Sequence, residues 1–324
     1  GAVAARDRLT PMIESIVEAK DASSEQLAIK EVNAGFYFVR SDILKAALAS
    51  LSNSNKAQEF YLTDLVSFCR KQGHFVTTFE IPFEEGLGIN TQKELSEVAH
   101  VLRRRVNAWW MAQGVSMIDP SSVWVDADVQ LSADVVLEPG VILKGKTRIH
   151  PRVRVGAYSV IEGAELYEDV VIQPFCHLKD SVVGAESDLG PYARLRPGSV
   201  LDRKVHIGNF VEVKKSHLKE GVKAGHLSYL GDSDIGRGTN IGAGTITCNY
   251  DGIAKHQTNI GEDVFIGSNT SLVAPIKIGS GAIIGAGSVL TKEVSSNAIA
   301  VERSDQREIP QGASRFRERR RKKD

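Results

Sequence analysis

With 324 residues and 42% hydrophobic side chains, the chain is long enough for two domains, or for one domain plus a repeat array. Lys plus Arg and Asp plus Glu both number 40, a balance that excludes nucleic-acid or anionic-membrane binding driven by bulk charge and leaves only local anion sites. Three widely spaced cysteines, Cys69, Cys176 and Cys248, exclude a disulfide framework and a zinc ribbon, and no apolar run reaches bilayer length, so the expected setting is the reducing cytoplasm.

Residues 1–90 read as α/β. A helical period runs from Ser41 to Ser52, and strand-like alternation occupies Gly35-Phe-Tyr-Phe-Val39 and His74-Phe-Val-Thr-Thr-Phe79. Residues 91–116 predict an amphipathic linker helix: Thr91-Gln-Lys-Glu94 has the form of a capping box, and Leu95, Val98, Leu102, Val106 and Trp109 recur at helical spacing up to Gly114. Trp109 and Trp110 are expected to pack as core rather than to form a ligand platform.

From residue 117 to residue 303 the texture changes. Ile260, Ile266, Leu272, Ile278, Ile284 and Leu290 fall six residues apart without a slip, four of them followed by glycine, and Ile149, Val155 and Ile161 repeat the step. Six suits neither a 3.6-residue helix nor a two-residue strand; it suits a coil that turns a corner after each short strand, with the apolar residue inward and glycine near the turn. Stacked coils bury one thin continuous core. Ile241 and Ile260 are nineteen apart, one more than three hexads, and the excess falls around Cys248-Asn-Tyr-Asp-Gly-Ile-Ala-Lys255, predicting a loop that leaves the coil. Residues 304–324 end in the basic run Arg315-Phe-Arg-Glu-Arg-Arg-Arg-Lys-Lys-Asp324, expected to be a solvated tail without fixed structure.

The array's polar and ionisable residues concentrate in RLRPG (194–198), EVKK (212–215), AGHLSYLGD (224–232), NIGAGT (240–245) and CNYDG (248–252). Residues one coil apart lie almost on top of one another, so these segments can converge. Arg196, Lys214 and Lys255 would offer a guanidinium fork and two ammonium groups suited to a phosphate dianion. Tyr229 and Asn240 can hydrogen-bond hydroxyls, and His226 supplies a base that titrates near neutrality. Taken singly, each is also a residue type that commonly does no more than face solvent. Zinc is the other use for histidines on such a helix, but His74, His100, His150, His177, His206, His217, His226 and His256 include no short His-x-x-x-x-His pair, and zinc is set aside.

These segments, with VFIGSNTSLVAP (264–275) and IGAGSV (284–289), resemble almost letter for letter the acetyltransferase domain of the bacterial family of bifunctional N-acetylglucosamine-1-phosphate uridylyltransferase/glucosamine-1-phosphate N-acetyltransferases. The resemblance implies an all-β left-handed parallel β-helix of hexapeptide repeats over 117–303, assembled as a homotrimer with active sites between neighbouring helices. It also implies acetyl transfer from acetyl-CoA to the amine of glucosamine 1-phosphate, on the way to UDP-N-acetylglucosamine, with small-molecule substrates and no nucleic-acid or membrane partner. His226 then matches the general base, Arg196 and Lys214 the sugar-phosphate contacts, and Tyr229, Asn240 and Lys255 further sugar contacts. Ala243, Asn249, Tyr250, Ser268, Ala286 and Arg303 match acetyl-CoA contacts, and a backbone N–H near the Asn249–Tyr250 loop or on a Gly-rich turn is the expected oxyanion donor.

The first segment is similar to the second half of the family's uridylyltransferase domain through Ile16-Val-Glu-Ala-Lys-Asp-Ala-Ser23, Glu31-Val-Asn-Ala-Gly35, Glu59-Phe-Tyr-Leu-Thr-Asp64 and Gly88-Ile-Asn90. Glu18 and Asn33 match sugar-nucleotide contacts and Asn90 one Mg2+ ligand. The family's Gly-rich nucleotide loop and the Asp that completes the metal site are expected upstream of residue 1, so magnesium-dependent uridylyl transfer is expected only of an intact chain. A fragment of the bifunctional enzyme and a non-catalytic β-helical scaffold are the competing readings.

Overall fold

The computed structural model describes residues 2–6, 13–55 and 57–321, in two compact units that divide between Val101 and Leu102. In the first unit an antiparallel ribbon pairs Ala2–Arg6 with Ile13–Glu18, accompanied by helices Ser24–Leu27, Ser41–Leu48 and Asp64–Lys71. Its apolar interior is two small clusters, one of Ile13, Ile16 and Val66, the other of Ala47, Leu65 and Cys69. The expected helix from Ser41 stops at Leu48, short of Ser52. The two strand-like runs form no strands. Their alternation is nonetheless present, with Tyr37, Val39 and Val76 packed inward and Phe36, Phe38, Phe75 and Phe79 exposed. Alternation supplies a face, whereas a strand also needs a neighbour to take its N–H and C=O groups, and no strand among the described residues pairs with either run.

The second unit is a parallel β-helix. Sheets of 11, 10 and 9 strands are built so that, up to the last coil, every third strand along the chain is the next strand in a sheet and each coil lends one short strand to each sheet. Leu137 pairs with Val155, Val155 with Ile172 and Ile172 with Leu189, steps of 18, 17 and 17 positions. With Ile207 these side chains stack down the axis at no more than 1% exposure, each burial contributing about 1.5–3 kcal/mol. All six residues of the predicted register from Ile260 to Leu290 are buried.

The register is visible where the passage from the 10- to the 9-stranded sheet takes six residues, as from Leu272 to Ile278, and slips where it takes five, as from Ile161 to Leu166 and from Leu178 to Val183. The predicted loop is present but larger than the one-residue excess suggested. Ile241 pairs with Ile266, 25 positions on, so about a whole extra hexad leaves the coil between the strands Ile246–Cys248 and Thr258–Ile260.

The helix Gln92–Ala112 begins with the predicted capping box: Thr91 Oγ1 accepts the Glu94 N–H at 3.2 Å, and Glu94 Oε2 accepts the Thr91 N–H at 2.8 Å. Its buried face is displaced from the predicted stripe. Leu102 and Trp109 are exposed, while Asn107 is buried and Trp110 packs on the β-helix core. The Asn107 amide explains the displacement, because it donates to the carbonyls of Pro120 (2.8 Å) and Val123 (2.9 Å). Residues 103–112 thereby close the first coil, as terminal caps do in repeat arrays. Gly114, at φ 94°, ends the helix in the left-handed conformation. At the other end the basic tail, expected to lack fixed structure, carries the helix Gly312–Arg321.

Candidate active site

His226 ends the strand Lys223–His226, beside Asn209 at the end of His206–Asn209 one coil earlier. Both strands are longer than most because Gly208 and Gly225 stack closely; a Cβ on Gly208 would overlap the Gly225 carbonyl. This close approach sets Asn209 Oδ1 at 2.6 Å from His226 Nδ1. The amide oxygen can only accept, so Nδ1 carries the proton and the Nε2 lone pair of the exposed ring faces outward, the state a proton acceptor needs.

The position of His226 recurs in later coils. The His226 carbonyl accepts the Gly244 N–H (3.4 Å), the Ala243 carbonyl the Asn269 N–H (2.7 Å) and the Ser268 carbonyl the Gly287 N–H (2.8 Å). Asn209, His226, Ala243, Ser268 and Ala286 therefore form one column in five successive coils. Small side chains beyond the imidazole leave a flat track, and Arg303 Nη1 donates to the Ala286 carbonyl at 2.9 Å at its end. The sequence singled out every member except Asn209, whose signal is its place 17 residues, one coil, before His226.

A second group gathers on the 10-stranded sheet. Arg196 follows Leu195 as Lys214 follows Val213, on paired strands. Arg196 Nη1 donates to Glu212 Oε1 at 2.9 Å, which fixes the fork. The Tyr229 hydroxyl lies over Gly231, the partner of Lys214. Lys255 reaches the Lys214 ammonium from the loop; that contact first, then desolvation and the charge of Arg196, hold Lys214 below the ordinary lysine value. Three cations crowd together against two carboxylates, Glu212 on Arg196 and Asp232 near Lys214, which leaves a net positive charge suited to an anion. Asn249 is buried and its amide donates to Asp232, while exposed Tyr250 pairs with Lys255 across the loop.

Asn240 stands apart from this group on the 11-stranded sheet, paired with Lys223 and Phe265. Among the described residues no hydrogen bond joins the His226 column to the cation cluster. The surface depressions around Val200–Arg203 and Lys146–Arg148 include none of these residues. Cys176 is buried, which pushes its thiol up to about 11 and leaves it inert as a nucleophile.

In the first unit Glu18 accepts from Thr63 (3.5 Å) and Asn33 donates to the Tyr37 hydroxyl (2.8 Å). Asn90 gives its N–H to Glu94 at 2.8 Å at the head of the helix. No group of three His, Cys, Asp or Glu converges as a metal site among the described residues.

A family model described as bacterial transferase hexapeptide (six repeats) matches residues 257–292, and one described as GMPPB C-terminal domain matches residues 120–215. The bifunctional protein GlmU of Pseudomonas putida is 48% identical over 299 residues, covering 92% of this chain and 66% of its own length. That of Thermus thermophilus is 49% identical over 299 residues, 90% of this chain and 64% of the relative. The chain belongs to the GlmU family. It spans just under two thirds of the length of these GlmU relatives. Among solved structures, the UDP-N-acetylglucosamine acyltransferase of Francisella novicida is 15% identical with a TM-score of 0.39, over 56% of this chain and 66% of that one, a likeness too low to add to the GlmU relationship. No helix among the described residues is long and apolar enough to cross a membrane.

Proposed function

We propose that this chain transfers the acetyl group of acetyl-CoA to the amine of glucosamine 1-phosphate. The observation that carries the proposal is the His226 column, in which an imidazole with a free Nε2 opens onto a track of small residues. His226 removes the amine proton as nitrogen attacks the thioester carbon; the C–S bond then breaks and the imidazolium returns the proton to the departing thiolate. No acyl-enzyme is needed. Asn209 holds the ring in the reactive tautomer, Arg196, Lys214 and Lys255 hold the phosphate, Tyr229 and Asn240 meet sugar hydroxyls, and Ala243, Asn249, Tyr250, Ser268, Ala286 and Arg303 line the donor. A backbone N–H at the Asn249–Tyr250 loop is the oxyanion donor in this scheme.

The column and the cation cluster are carried on different sheets of one chain. This separation supports a site completed between neighbouring helices of a homotrimer. Three unpaired cysteines and a thioester substrate are consistent with a cytoplasmic location. Only Asn90 matches a metal ligand of the uridylyltransferase half, so the proposal does not extend to that reaction. The test is a thiol-release assay with glucosamine 1-phosphate and acetyl-CoA: acceptor-dependent CoA release is expected, and its absence would make the chain a scaffold.

A further inference from the structure

We infer that Asp251 and His256 are positioning residues for that reaction, a clasp that closes the 249–257 loop and holds Lys255 against Lys214 so that a phosphate-bearing acceptor meets a preformed cationic pair. The inference rests on the acetyl-transfer reading for its substrate. The geometry is local. Asp251 Oδ1 accepts the N–H groups of Ile253 (2.8 Å) and Ala254 (2.7 Å), and Oδ2 accepts from His256 Nε2 at 2.6 Å. The His256 N–H donates to the Asn249 carbonyl at 2.8 Å, and Asn249 is itself tied to Asp232 on the coil. Lys255 thus sits between two residues whose backbones or side chains are fixed by Asp251.

That fixing has work to do. Two ammonium groups side by side repel, and an exposed lysine on an untethered loop would swing into solvent before any anion arrived. The Ala254 N–H, then the His256 ring and the Ile253 N–H, hold the Asp251 carboxyl well below the usual carboxylate range, which favours the ionised form that accepts all three bonds. Holding the cations together in advance moves their repulsion into the free protein, where phosphate relieves it on binding.

The experiment compares the parent with Asp251→Ala, His256→Ala and His256→Gln, the last keeping a side-chain donor. With glucosamine 1-phosphate, KM is expected to rise about tenfold or more in the alanine variants, the loss of a charge-assisted contact, a larger change than in kcat or in the KM for acetyl-CoA, to which Asn249 and Tyr250 of the same loop contribute. Turnover of glucosamine, which lacks the phosphate, should fall far less than kcat/KM for glucosamine 1-phosphate in the alanine variants, and His256→Gln should recover most of the KM. An equal fall with both acceptors would show a loop that merely folds the site and overturn the clasp. Independently of activity, acetic anhydride labelling of Lys214, followed by peptide mass spectrometry against pH, should show its titration moving up towards that of ordinary lysine in the alanine variants. An unmoved Lys214 overturns the clasp even if the parent acetylates neither acceptor, an outcome that by itself would sink only the acetyl-transfer reading.

Discussion

In the proposed reaction His226 uses its two ring nitrogens differently, one for orientation through Asn209 and one for chemistry. His226→Ala should therefore cut turnover by roughly a hundredfold to ten-thousandfold with little change in acetyl-CoA affinity. Asn209→Ala leaves the base present but frees its tautomer, so kcat should fall less, with both KM values within about twofold; steady-state kinetics of the pair separates the roles, and equal losses would remove the distinction. Lys214 gives a pH test. Its ammonium is disfavoured in the free protein by Lys255, and a phosphate dianion favours it, so binding takes up a proton. Affinity for glucosamine 1-phosphate should thus be full between the second ionisation of the phosphate, about pH 6, and the lowered Lys214 value, and weaken as pH rises through the latter, beginning below the ordinary lysine range. A KM flat up to that range would place the phosphate elsewhere. Arg196, Lys214, Lys255 and His226 were legible as residue types in dense polar segments. Asn209 lay outside those segments, and Glu212 and Asp232, though inside them, had no role assigned, since such roles follow from which coil lies against which.

At the scale of elements, legibility depended on corner length. Six-residue corners kept Ile260 to Leu290 in step and exposed the repeat, while five-residue corners, all but the one from Leu195 to Leu201, hid the coils between Ile161 and Ile235, where the first three polar segments lie. The linker helix was readable in its cap and its end, but its buried face was not, because a polar residue, Asn107, defines it. Removing that amide leaves the carbonyls of Pro120 and Val123 without their partner. Asn107→Ala should cost about 1–3 kcal/mol and lower the β-helix melting temperature by several degrees in calorimetry, without altering KM for either substrate. An unchanged melting temperature would mean that the helix does not stabilise the first coil. The runs at 35–39 and 74–79 failed as strands for a different reason: periodicity reports a face and is silent about a partner.

For the whole molecule, sedimentation equilibrium at modest concentration should give a trimer, since one chain presents the base and the cation cluster on separate sheets. An active monomer would refute assembly across a neighbour. The column described by Asn209, His226, Ala243, Ser268 and Ala286 has a further consequence. Parallel strands stand about 4.8 Å apart, so the three steps from the imidazole to Ala286 measure about 14 Å. The corner is a graduated ruler with one mark per coil. Insertions confined to a loop leave the marks in place, as the 249–257 excursion does, whereas adding or deleting a whole coil between His226 and Ala286 would change the reach of the ruler by one graduation. Such a change would shift the length of extended donor that fits while leaving the chemistry at its zero mark untouched.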